Sequence, residues 1–296
     1  ALVSGRVEAG EHERMLTWET RRIRRALMDC GAPAILLKGA AYAALDLPVS
    51  HGRLTGDVDI LVHRSDLDRV EAALKAHGWA TELEDAYDQL YYRAYMHELP
   101  PLRHKGRGTV VDVHHTISPP TSRIRIDGER LWPGTAAGAG IVLPTLAPAD
   151  LVLHAVIHLF HEGNLAGGLR DLADIDGLLR HFGKESGFWD ALLARADEFD
   201  ARRVLAYGLR YAALLFDTPA PREVRRQVAR WEASPAAQRM MDGLVVATLL
   251  AAAGEGGYRA RSAAWMLYVR SHWRRMPPLL LARHLLRKAV TRRSAA

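Results

Sequence analysis

The sequence predicts an α+β chain in which a strand-bearing N-terminal half precedes an all-helical half. Two observations carry this. Apolar segments that alternate with period two, at 57–62 and 109–117, fall only in the first 120 residues. Beyond Pro148 the apolar spacing is helical throughout. Between the halves, Pro119, Pro120, Pro133, Pro144 and Pro148 join Gly134, Gly138 and Gly140 in a breaker-rich stretch. It divides the chain into domains 1–146 and 147–296.

Taken in order, residues 11–30 form an amphipathic helix with Met15, Leu16, Ile23, Leu27 and Met28 toward a core, stopped by Gly31 and Pro33. Segment 34–37 is a short strand closing on Lys38-Gly39, and 40–45 makes one or two helical turns. Residues 48–56 are a loop and 57–62 a strand. Ser65-Asp66-Leu67-Asp68 opens a helix that runs through Ala76 and ends at Gly78. The aromatic stretches 79–83 and 87–97 read as extended, and 109–117 as a strand. Helices follow at 149–162, 168–182, 186–197, 199–216, 220–231, 235–253 and 259–274, with no internal repeat.

Composition excludes several classes. At 49% hydrophobic and 25% charged residues, the 296-residue chain is neither disordered nor of low complexity. One cysteine, Cys30, leaves no internal disulfide and no cysteine-based zinc site, which points to a reducing, cytoplasmic setting. The longest apolar run, 244–253, is far short of the ~20 residues that span a bilayer. Net charge is +6, but residues 269–296 hold eight basic residues and no acidic one. Removing those eight from the 40 Lys and Arg leaves 32 against 34 acidic residues over 1–268, net −2. The positive excess therefore belongs to a tail. In 277–296, leucines alternate with Arg283, Arg287, Lys288, Arg292 and Arg293 behind Pro277-Pro278, the pattern of a basic amphipathic helix. It could dock on the helical half, on an anionic membrane surface or acidic protein, or on RNA, which ranks lowest as a partner.

The chemistry-bearing pattern is acidic. In the strand 57–62, Asp57 and Asp59 share one face while Val58, Ile60 and Val62 take the other. Val110-Val111-Asp112-Val113-His114 repeats the device with Asp112 and His114 together. Carboxylates this close repel one another unless a divalent cation sits between them. Mg²⁺ takes oxygen ligands and bridges phosphates. Three carboxylates on adjacent strands suit two-metal phosphoryl or nucleotidyl transfer.

These residues carry a resemblance. Gly39, then Asp57-x-Asp59 in apolar surroundings, then a distant strand aspartate, Asp112, resembles the nucleotidyltransferase superfamily of DNA polymerase β. Leu36-Leu37-Lys38-Gly39, Arg53-x-x-Gly56-Asp57-x-Asp59-Ile60-Leu61-Val62 and Asp112-x-His114 resemble more narrowly a bacterial, mostly uncharacterised nucleotidyltransferase family. The motifs cover 34–117. The resemblance implies a small mixed sheet that binds an NTP and two Mg²⁺ ions. It implies that Asp57 and Asp59 hold both metals, and that Asp112 holds the catalytic one and helps deprotonate the acceptor. Gly39 would let the backbone approach the triphosphate, in a nucleotide site with Lys38, Arg53, Gly56 and His114. One departure stands out: the superfamily has Gly-Ser at this turn, and here Ala40 follows Gly39. Lys38 or Arg53 could supply compensating charge to the phosphates.

The activity expected is transfer of an NMP to a hydroxyl or phosphate of a small-molecule or protein acceptor, releasing pyrophosphate. Kinase-like phosphoryl transfer, a non-catalytic nucleotide-binding role and RNA 3′-end modification are the alternatives. Acceptor choice falls to the helical half and the aromatic segment 87–95. His154, His158 and His161 share a helical face, as cleft lining, core residues or metal ligands. Arg170, Asp171 and Asp174 form an ion-paired face or a cleft contact. Gly183-Lys184-Glu185-Ser186 is Walker-like only superficially, since Glu185 stands where Ser or Thr is required.

Overall fold

A computed structural model describes residues 2–81, 83, 85–124, 126–136, 141–161, 165–251 and 257–275. Helix α1 (Leu2–Cys30) starts well before residue 11 and buries Ile23, Ala26 and Leu27. Its end is a Schellman turn: Gly31 at φ 65° donates to the Met28 carbonyl, and Ala32 N–H donates to that of Leu27. There follow β1 (Ile35–Leu36), α2 (Lys38–Ala44), β2 (Asp57–Leu61), α3 (Leu67–Ala76), β3 (Trp79–Thr81), α4 (Ala86–Tyr95), β4 (Leu102–His104) and β5 (Val110–His114). The five strands order as β1-β2-β5-β4-β3. The β2–β5 pair is parallel and the other three pairs are antiparallel.

Several expectations change. Lys38-Gly39 opens α2 rather than closing the strand before it. Segment 87–97 is mostly helix α4, not extended. Its tyrosines favour strands in isolation, yet Tyr91 and Tyr95 contact each other one turn apart while Leu90 is exposed and Tyr91 buried. Three-residue β4 went unrecognised because alternation over so few residues has no distinguishable period.

The second half is all helix: α5 (Pro148–His161), α6 (Leu169–Phe182), α7 (Phe188–Glu198), α8 (Arg202–Phe216), α9 (Arg222–Ala229), α10 (Pro235–Leu249) and α11 (Tyr258–Arg275). Helix α5 is buried on nearly every side because it packs against α6, α7 and α8, which is why its sequence is apolar all round. The halves share one continuous apolar core. Backbone also ties the breaker-rich stretch that leads into the helices to the sheet: Leu36 N–H donates to the Pro144 carbonyl. Gly177 of α6 sits so close to Val49 that a Cβ would meet its Cγ1 at 2.2 Å, so only glycine lets α6 approach the loop before β2. No helix among the described residues is long and apolar enough to cross a membrane. The basic segment 277–296 lies outside the described residues.

Candidate active site

The β2–β5 register places Asp59 opposite Asp112, with Asp57 two residues before Asp59 on the same face. Donor oxygens from Asp57, Asp59 and Asp112 all lie within 4.8 Å of one another, a set that could hold a metal ion. The alternate residues Val58, Ile60, Val111 and Val113 are buried on the other face, so core packing sets which way the carboxylates point.

The three carboxylates differ in environment. Asp59 is almost wholly buried, and burial pushes its pKa up. The charge of Lys38 and the hydrogen bond with His114 outweigh that and hold it well below the usual carboxylate range. Lys38 Nζ lies 2.7 Å from Asp59 Oδ1, and His114 Nε2 lies 2.9 Å from the same oxygen. Asp57 is raised, first by burial and then by Asp59. Asp112 is raised to about 7, by burial and then by Asp59 and Asp57. Asp112 Oδ1 is buried with no hydrogen-bond partner. A buried carboxylate oxygen with no donor, among two further carboxylates, fits a cation better than it fits water-free protein.

Lys38 reaches Asp59 from the first residue of α2, where its φ of 44° lies in the left-handed region that non-glycine residues avoid. Backbone strain of that kind gathers at functional sites. Gly39 is required by its neighbour: a Cβ there would meet Thr55 Oγ1 at 2.6 Å and Arg53 Nε at 3.2 Å. Gly56 differs, since nothing lies within 4 Å of its Cβ position.

Arg53 ion-pairs with Asp174 of α6 and lies over the Tyr42 ring at 5.8 Å. Its Nε is buried without a hydrogen-bond partner. Burial raises Asp174 to about 6 although Arg53 opposes the shift. A cleft of about 150 Å³ runs between sheet and helices, lined by Lys38, Gly39, Tyr42, Arg53, Thr55, Asp57 and Asp59. Ala155, His158, Arg170, Asp171 and Asp174 close its other side. A roomier pocket of about 380 Å³ lies elsewhere, between α8 and α9. Its lining is mostly apolar, so the small polar cleft is the better candidate for chemistry.

The structure thus gathers Lys38, Gly39, Arg53, Asp57, Asp59 and Asp112 in one place. His114 changes role: it is fully buried beneath Asp59, with no surface from which to touch a nucleotide, and it holds that carboxylate instead. The three histidines of α5 separate. His158 lines the cleft. His154 is buried with its ring 6.5 Å from that of His114, and burial, then Lys38, drives its pKa far below the usual histidine range. His161 is buried against Ser122 Oγ. His97, Glu98 and His114 form a second group of donors within 4.8 Å, but His114 Nε2 is nearer Asp59 Oδ1 (2.9 Å) than Glu98 Oε2 (3.4 Å). Tyr42 and Thr55 were missed in the sequence. Tyr42 carried a signal, four residues after Lys38 and hence on its helical face. Thr55 carried none.

Comparison with known proteins adds to this geometry. The family model described as "Uncharacterised nucleotidyltransferase" matches residues 1–217. No curated protein matches. A solved structure, described as an antigenic nucleotidyltransferase-like protein from Paracoccidioides brasiliensis, is similar over 66% of this chain and 92% of its own, at 14% identity and a TM-score of 0.36. At those values it carries no weight for site or substrate.

Proposed function

The chain belongs to the uncharacterised nucleotidyltransferase family, transferases of phosphorus-containing groups, and on that premise we propose that it moves an NMP from an NTP to a hydroxyl or phosphate acceptor. The acceptor would be a small molecule or a protein, and pyrophosphate the leaving group. The observation that carries this is the Asp57–Asp59–Asp112 cluster, with its donorless buried Asp112 oxygen.

Asp57, Asp59 and Asp112 would hold Mg²⁺. When bound, the ion neutralises triphosphate charge and makes an acceptor oxygen easier to deprotonate. The chain's own groups do the rest. His114 holds Asp59 in place from below, and Lys38 balances its charge on the cleft side. Asp112 would accept the proton that the acceptor hydroxyl gives up. Lys38 and Arg53 line the cleft as the cations for the triphosphate. Thr55 Oγ1 lies beside Gly39 and supplies the hydroxyl that Ala40 lacks at this turn. The division at 146/147 would then separate nucleotide chemistry from acceptor selection, with α5 and α6 facing the cleft.

The test is labelled transfer. With Mg²⁺ and a candidate acceptor pool, α-phosphate label should enter the product and γ-label should leave as pyrophosphate. Transfer of γ-label instead would assign phosphoryl transfer to the site. Unaltered metal-dependent nucleotide binding in the Asp57→Ala, Asp59→Ala double variant would remove the site assignment.

A further inference from the structure

Helix α1 reaches the cleft from behind. His12, Leu16, Glu19 and Ile23 recur at i, i+4, i+7 and i+11, so they share one face of the helix. Leu16, Glu19 and Ile23 are buried. Glu19 receives a two-pronged guanidinium from Arg107, in the turn before β5, at 2.6 and 3.1 Å. Apolar burial and that fork fix the helix against the sheet. Half-buried His12, one turn ahead of Leu16, is carried to a set place by the same register.

That place is the loop before β2. Arg53 N–H donates to the Ser50 carbonyl, and two residues on, Thr55 N–H donates to His12 Nε2 at 2.7 Å. Leu54 and Gly56, on either side of Thr55, are exposed, so the bond to His12 holds a stretch with little packing of its own. A backbone amide can only donate. His12 Nε2 is therefore the acceptor, and the proton of the neutral ring sits on Nδ1.

The loop is a thin wall. Thr55 and Asp57 line the cleft on one side, and on the other a cavity of about 30 Å³ that His12 and Leu16 also line. On the cleft side, Thr55 Oγ1 and Arg53 Nε both crowd the Cβ position of Gly39. A shift of the loop away from Gly39 would move that hydroxyl and that guanidinium together. Asp57 and Asp59 are held separately, by their pairing with β5.

We propose that His12 is a positioning residue of the nucleotide site: by accepting the Thr55 N–H, it holds Thr55 Oγ1 and Arg53 toward the triphosphate. The proposal rests on the nucleotide reading of the cleft. It adds α1, which lies outside the 34–117 motifs, to the groups that set triphosphate affinity.

The experiment pairs binding with nitrogen NMR on the full chain. Inorganic tripolyphosphate with Mg²⁺, followed by calorimetry, probes the part that all NTPs share. His12→Phe keeps a ring and removes the acceptor. It should weaken tripolyphosphate binding ~10-fold, while affinity for Mn²⁺ alone, read by electron paramagnetic resonance, stays unchanged. His12→Gln puts an amide oxygen where Nε2 stands and should recover most of the loss. Long-range nitrogen–proton correlation spectra of the wild type, at mildly alkaline pH, should show His12 with Nδ1 protonated and Nε2 bare. Several outcomes would overturn the proposal: full tripolyphosphate affinity in His12→Phe, equal loss in the Phe and Gln variants, or a protonated Nε2. So would a joint loss of Mn²⁺ and tripolyphosphate affinity, which a general loosening of the fold would give. If the wild type itself binds no tripolyphosphate, the nucleotide reading falls and takes the proposal with it. A failure confined to the His12 variants leaves that reading standing.

Discussion

The helical half and the sheet both bury carboxylates, and they treat them differently. In the helical half Asp150 receives a two-pronged guanidinium from Arg195 at 2.7 and 3.0 Å, and Asp242 receives one from Arg210 at 2.9 and 2.6 Å. Geometry there satisfies each carboxylate with a fork built for it. On the sheet, three carboxylates share one lysine and one histidine, and both of these lie on Asp59. Burial raises Asp150 as it raises Asp57 and Asp112, but Asp150 has the Arg195 fork against that, whereas Asp57 and Asp112 are pushed further up by neighbouring carboxylates. Polar burial that completes itself holds a fold together. Burial that leaves charge over prepares a site for something that arrives.

The contrast can be broken most severely at its acidic end. Asp57→Ala with Asp59→Ala should lower the transfer rate by on the order of 10³-fold, because several kcal/mol of cation-mediated stabilisation disappear; steady-state kinetics with labelled NTP checks it. Asp59→Ala should also lower urea stability, because it strips Lys38 and buried His114 of their partner, whereas Asp57→Ala alone, which removes a like charge beside Asp59, should leave it nearly unchanged. Arg195→Met should do the reverse of Asp57→Ala, costing about 3 kcal/mol in urea unfolding by leaving Asp150 buried without its partner.

Asp112→Asn sharpens the comparison. A carboxyl raised from 3.8 to about 7 in the folded protein contributes its stability below pH 4 and loses it as pH rises through 7. The asparagine variant should therefore be more stable than wild type at pH 8 without metal, by about 1–2 kcal/mol, with no gain at pH 4; thermal melts across pH decide it. Mg²⁺ should raise the wild-type melting temperature more at pH 8 than at pH 6, and should scarcely move that of the variant. A smaller effect is expected at the hydroxyl: Thr55→Val should lower kcat/KM about 10-fold, near 1.4 kcal/mol, without changing the melt.

Buried His115 and His154 set an acid limit of their own. Burial lowers His115 to about 4 and His154 well below its ordinary value. Both are neutral in the fold and take up protons once unfolded, so the stability they contribute is complete above pH 6.5 and is lost as pH falls toward 4. Chemical denaturation between those pH values should show a decline on the order of 1 kcal/mol.

Local pattern was enough wherever a short period decides. Alternation in 57–62 and 110–114 named the three aspartates and their common direction, because a strand cannot turn one side chain without turning the next. The same logic misread α4, where tyrosine content suggested strand and only packing of the Tyr91 side told for helix. Helix α5 and its neighbours were legible from apolar spacing over many turns, whereas β4 was too short to have a period.

By itself, the sequence determined a strand-bearing half with three like-facing carboxylates, a glycine before them, a helical remainder and a basic end. Those follow from spacing within a few residues. Only the tertiary structure decided what each carboxylate meets. Lys38 and His114 lie 21 and 55 positions from Asp59, and Arg53 lies 121 from Asp174. Chain separation of that size says nothing about distance until the order β1-β2-β5 and the approach of α6 bring those side chains together. His114 makes the point: its spacing placed it on the carboxylate face, and the parallel register of β2 and β5 put it under Asp59, as that carboxylate's support rather than a hand on the nucleotide.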